Sequence, residues 1–116
     1  MEEINFKELV EKELNKFEFV RISMGYRYLI DSILLCIKDQ NALDNLNKNV
    51  FPKVAEKHNA VSFMHIKWCI EQSIRTMYYN TNSKIISSYF NLKENIKPSL
   101  KFFIYTIVSK IEWKNN

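Results

Sequence analysis

The stretch VAEKHNAVSFMHIKWCI, residues 54–70, decides the fold. Val54 and the small Ala55 fall on one face of a short helix that starts near Phe51. Pro52 sits in its first turn, where the missing amide hydrogen has no intrahelical acceptor to lose. Asn59 tolerates the left-handed conformation that ends a helix, and Ser62 is a good N-cap for the next one. From Ser62 to Tyr79, Phe63, Ile66, Ile70, Ile74 and Met77 fall on one side of a second helix at about 100° per residue. Met64, Trp68, Glu71, Gln72 and Arg75 fall opposite, with Trp68 near the centre. The spacing predicts a helix-turn-helix, with a turn at Asn59 to Val61 and a second helix held by one face so that it offers the other. The turn is about one residue longer than usual and lacks glycine, and a generic two-helix corner has the same pattern.

Outward from this stretch the chain also reads as helix. Phe6, Leu9, Val10, Leu14 and Phe17 repeat at helical spacing over about Ile4 to Phe17. After the link EFVRISM, Gly25 opens GYRYLIDSILLCIKDQ, whose stripe of Tyr26, Leu29, Ile30, Ile33, Leu34 and Ile37 is broad enough for a central helix. NALDNLNKN, residues 41–49, is polar and holds a short turn of helix before the next element. Helices over Lys84 to Phe90 and about Ser99 to Trp113 complete the chain. FFIYTIV, residues 102–108, has the composition of a strand, but a lone strand has nothing to pair with. One glycine among 116 residues argues the same way, because hairpin turns consume glycine at positive φ. The expectation is an all-α, compact six-helix domain spanning residues 1–116, with no repeats or linkers.

Composition narrows the function classes. Seventeen basic against 13 acidic residues give a net charge of +4 and a pI near 9.0, a mild excess that permits an acidic partner without requiring one. Cys36 and Cys69 are too few for a disulfide framework and read as buried small hydrophobes. The N-terminus, MEEINFKELVEKEL, is charged and amphipathic rather than a signal peptide, and the longest apolar run is far short of the roughly 20 residues a membrane span needs. A reducing cytoplasm is the expected compartment, with no membrane partner. No nucleophile lies near a base, and neither paired catalytic carboxylates nor a glycine-rich phosphate loop can be found, so no enzymatic activity is expected. His65 and Cys69 are one helical turn apart, as two metal ligands would be, but no third ligand is visible nearby; neither a metal nor a cofactor is expected. Tyr26 and Tyr28 read as packing residues, and His58 as packing at the end of the first motif helix.

Five stretches carry a family resemblance: GYRYLIDSI (25–33), VFPKVAEKHN (50–59), CIEQSI (69–74), ISSYF (86–90) and IKPS (96–99). In this order and spacing the chain resembles the C-terminal DNA-binding effector domain of the sporulation initiation response regulator, over about Ile4 to Ile111. The resemblance implies a six-helix domain with a helix-turn-helix that binds short asymmetric boxes in double-stranded DNA, often as tandem head-to-tail copies. In that family the second motif helix reads bases through an arginine, a glutamate and a further arginine. Aligned backwards from Ile70, those positions are His65, Lys67 and Trp68. Trp68 cannot make a bidentate arginine-to-guanine contact, and Lys67 reverses the sign of the glutamate. The family also carries a phosphorylatable receiver domain ahead of this one. This chain starts at a methionine with no room for it, so control through its own phosphorylated aspartate is not expected.

The DNA-facing set that follows is Ser62, Met64, His65, Lys67, Trp68, Glu71, Gln72 and Arg75. Lys67 and Arg75 are expected on phosphates, and His65, Trp68 and Gln72 toward base edges. A second reading is open: Met64 and Trp68, types enriched at protein interfaces, anchor a partner. The domain would then pair with itself as a homodimer or with the full-length regulator, without reading bases. Lys84, Lys93, Lys97 and Lys101 form either a second backbone-contacting patch or a solvated basic edge.

Overall fold

The computed structural model of the chain describes residues 5–114. The described residues are all-helical, and they form seven α-helices rather than six. These are α1 (Phe6–Leu14), α2 (Met24–Lys38), α3 (Leu46–Asn49), α4 (Phe51–Lys57), α5 (Phe63–Asn80), α6 (Ser83–Phe90) and α7 (Leu100–Lys114). The additional helix comes from the polar segment after α2. There Gln40–Asn45 wind as a 3-10 helix, and Leu46–Asn49 close a single α-turn whose Lys48 amide donates to Asn45 Oδ1 at 3.2 Å. Ala42 and Leu46 are buried and Leu43 packs against the core, so three apolar residues among polar ones tie the segment down.

Short polar residues start nearly every helix. Asn5, Ser23, Asn45, Ser62, Asn82 and Ser99 each accept a hydrogen bond from a first-turn amide, satisfying a donor that has no partner within the helix. The exception is α4, which lacks a side-chain cap and carries Pro52 in its first turn. Asparagine takes over glycine's usual role at helix ends. Asn59 (φ 53°) and Asn91 (φ 55°) adopt the left-handed conformation. After α4 the Ala60 amide donates to Ala55 O at 2.8 Å and the Asn59 amide to Glu56 O at 3.2 Å, the paired bonds of a Schellman ending.

The first helix is shorter than its periodicity suggests. It stops at Leu14, and Phe17 reaches the core from the turn that follows. There Phe17 packs against Tyr89, Phe90 and Phe103, with ring centroids 4.9, 5.7 and 5.9 Å away. The buried Glu13 carboxylate accepts from Tyr89 Oη at 2.8 Å and lies 3.2 Å from Lys16 Nζ. Burial, and then that carboxylate, push the Tyr89 phenol up from its ordinary value. FFIYTIV is helical within α7 and supplies Phe103, Ile104, Ile107 and Val108 to the core.

Helix α2 is central, packing on α1, α4, α5 and α7. The single glycine sets its distance from α5. A Cβ built on Gly25 would lie 2.3 Å from Cys69 O and 3.0 Å from Ser73 Cβ, so the two backbones meet where no side chain fits. Leu29 and Ile33 of α2 and Ile66, Ile70, Ile74 and Met77 of α5 are buried across this junction. Tyr26 and Tyr28 are buried as well, in line with their reading as packing residues.

Candidate nucleic-acid interface

Two restraints fix α5 and so fix what its outer face presents. Its N-terminus is closed by Ser62, whose Oγ accepts from the His65 amide at 3.3 Å, as its position before the apolar run predicts. Its inner face is clamped against α2 and α4. A chain of polar and aromatic contacts ties the start of α5 to those helices. Asp31 on α2 pairs with Lys57 at 3.0 Å and bonds His58 at the end of α4. The His58 ring stands edge-on to Tyr28 with centroids 5.0 Å apart, and Tyr28 faces His65 at 6.4 Å. His58 therefore pins the end of α4 to α2 through a carboxylate as well as by packing. His65 Nε2 in turn lies 3.5 Å from Cys69 Sγ.

With Ile66, Ile70, Ile74 and Met77 buried, the opposite ridge of α5 stands in solvent. Trp68 is 59% exposed, Met64 55% and Tyr79 71%, and His65, Glu71 and Arg75 are exposed as well. Lys67 and Gln72 are half-buried on the flanks of the ridge. A shallow groove runs along each flank. One, of about 370 Å³, is lined by Lys67 and Glu71 with Asp44, Ser99 and Lys101. The other, of about 310 Å³, is lined by Trp68 and Gln72 with Val20, Ser23, Met24 and Thr76. The expected set thus divides in space: Lys67 and Glu71 share a charged flank, Trp68 and Gln72 share an apolar one, and Met64 and Arg75 stand exposed on the ridge between the flanks.

Sequence periodicity missed part of this surface. Val20 and Met24 precede or begin α2 and come beside Trp68 only because α2 crosses α5 at Gly25. Lys101 reaches the charged groove from the start of α7, so of the four lysines read as a possible second patch it is the one that shares a groove with Lys67. Tyr79 continues the outer ridge one turn past Arg75, a position that the spacing alone could have supplied.

Cys36 is fully buried in the core, and burial pushes its thiol up to about 12. Cys69 departs from the expected burial: it is only partly covered, and that partial burial raises its thiol. Among the described residues no three His, Cys, Asp or Glu side chains converge as a metal site would require, so His65 and Cys69 are two donors without a third. No described helix is long and apolar enough to cross a membrane.

Residues 10–111 of the 116-residue chain match the family model described as sporulation initiation factor Spo0A C terminal. The matched span runs from within α1 to within α7 and so includes α4, the turn after it and the whole of α5.

Proposed function

We propose, from the premise that this chain belongs to the sporulation initiation factor Spo0A C-terminal family, that it is a sequence-specific DNA-binding regulator of transcription. Helices α4 and α5 form its helix-turn-helix, and double-stranded DNA is its partner. The observation that carries the reading is the presentation of α5, an 18-residue helix capped at its start, clamped along one face and bare along the other. A major groove about 12 Å wide admits a helix held in this way, with its N-terminal turns nearest the base edges. Lys67 and Arg75 then lie toward phosphates, with Lys101 behind Lys67. His65, Trp68 and Gln72 lie toward base edges, with Met64 one turn before Trp68; Ser62 caps the helix, and Glu71 stays on the flank beside Lys67. The chain acts by binding rather than by catalysis, in the cytoplasm of an endospore-forming bacterium.

Fluorescence anisotropy on labelled duplexes, one bearing the sporulation regulator's box and others of random sequence, tests this across a salt titration. Lys67→Ala is expected to weaken binding to all duplexes and to lower the log–log salt slope by about 1. Trp68→Ala is expected to reorder the preference among duplexes. No binding to any duplex at low salt refutes the reading.

The apolar groove formed by Val20, Met24 and Trp68 favours one alternative, an interaction module of the same fold that pairs with itself or with the full-length regulator. Sedimentation equilibrium separates the two readings. Concentration-dependent association that Trp68→Ala abolishes, together with indifference to DNA, supports the module.

A further inference from the structure

Resting on the DNA-binding reading, we propose that Met64 and Trp68 recognise the C5-methyl groups of thymine, which makes the preferred target of this domain rich in A·T pairs along the face that α5 reads. Met64 and Trp68 are one helical turn apart in the first two turns of α5, the part that comes nearest base edges when a capped helix enters the major groove. Both are more than half exposed, and neither can hydrogen-bond a guanine edge as an arginine would. The floor of the major groove offers hydrogen-bonding atoms on every base pair, but its one apolar group is the thymine methyl. An indole and a thioether on that floor gain most where methyl groups meet them, and over G·C pairs they cover several polar atoms of which the single indole N–H can satisfy only one.

Charge selects this occupant over a second copy of the chain. The apolar crest is accompanied by Lys67 and Arg75; Glu71, the lone acid of α5, and Asp44 are balanced in their groove by Lys67 and Lys101, which leaves Arg75 as the unbalanced charge of the ridge. Phosphate-lined walls beside a methyl-studded floor complement that arrangement. A twofold contact would instead set the cations of one ridge against those of its mate. Gln72 lies on the Trp68 flank, and its amide can donate and accept at once, the combination that matches adenine N7 and N6.

The test replaces thymine by uracil, which removes the methyl group and leaves the base-pairing and groove hydrogen-bonding atoms in place. The full chain is used to enrich duplexes from a pool with a randomised core. The enriched duplex is then synthesised in two forms, with thymine or with deoxyuridine throughout, and each is titrated by anisotropy with wild type, Trp68→Ala and Met64→Ala. Wild type is expected to bind the thymine form about fourfold more tightly for each methyl group it covers. The ratio should fall toward one in the Trp68→Ala variant, and partway in Met64→Ala. Because both side chains are exposed, the variants are expected to melt as wild type does, which a thermal scan checks. Equal wild-type affinity for the two forms, with salt-dependent binding intact, overturns this inference and leaves DNA binding standing. Failure to enrich or bind any duplex, or binding only to a second protein, overturns both.

Discussion

Replacing Gly25 by alanine tests the contact on which the position of α5 depends. The added Cβ would sit 2.3 Å from Cys69 O and 2.9 Å from Cys69 C, both of them helix backbone that no rotamer change can move aside. Ordinary carbon contacts lie near 3.5–4.0 Å, so α2 and α5 must separate or tilt by about 1 Å at this point. That shift loosens the packing of Leu29, Ile33, Ile66 and Ile70, which are fully buried. Overpacking costs roughly 1–3 kcal/mol, and with helix backbone as the obstacle the upper half of that range applies; after the better helix propensity of alanine returns about 1 kcal/mol, a net loss of about 1–2 kcal/mol remains. For a domain of this length 1 kcal/mol corresponds to roughly 4 °C, so Gly25→Ala is expected to melt about 4–8 °C below wild type when followed by circular dichroism at 222 nm. DNA affinity should fall as well, although every side chain on the outer ridge is retained. A melting temperature equal to or above that of wild type would refute the reasoning, because propensity alone would then have decided the outcome.

Three further predictions concern the turn after α4 and the thiols. At Asn59, φ is 53°, so Asn59→Ala should cost about 1–2 kcal/mol, whereas Asn59→Gly should be neutral or slightly stabilising; chemical denaturation that ranks alanine above glycine would count against the Schellman ending. In native protein near pH 8 a thiol reagent should modify Cys69, although more slowly than a fully exposed thiol because partial burial raises it, and Cys36 only after unfolding, because Cys36 is fully buried with its thiol raised to about 12. The sign of the pH dependence follows from that shift. Cys36 stays protonated in the fold but ionises in the unfolded chain near its ordinary value of 9.0, so its contribution to stability is complete below that pH and is lost as pH rises toward 12. The stability of wild type relative to Cys36→Ala should accordingly shrink over that window, and a difference that grew with pH would contradict it.

The elements legible in the sequence were those whose cause is local. Ser62 as a cap, Pro52 in a first turn, Asn59 in the left-handed region and the inner face of α5 each follow from a residue and its neighbours within a turn or two. A short turn of helix was legible in residues 41–49, but its division into a 3-10 segment and α3 was not, because the apolar content is thin and Leu46 holds the segment through tertiary contact rather than by periodicity. The early end of α1 has the same origin. Phe17 keeps the helical spacing, yet it fills a site between Tyr89, Phe90 and Phe103 that a continuing helix would not reach.

The candidate site divides along the same line. That Trp68 faces outward is a matter of phase along one helix, and spacing suffices to show it. What surrounds Trp68 is a matter of how two helices cross, and the crossing is set by a hydrogen atom standing where any other residue would have a side chain. Gly25 therefore does two things at once. It allows α5 to approach α2 closely enough to bury Ile66 and Ile70, and it brings Val20 and Met24 beside the exposed indole. The apolar flank of the ridge is thus coupled to the packing of the core, so Gly25→Ala should weaken any partner of Trp68, nucleic acid or protein, whereas Trp68→Ala should leave the melting temperature unchanged. Measuring both variants in both assays separates the scaffold of the site from its reading surface, and a Trp68→Ala protein as unstable as Gly25→Ala would show that the indole belongs to the fold.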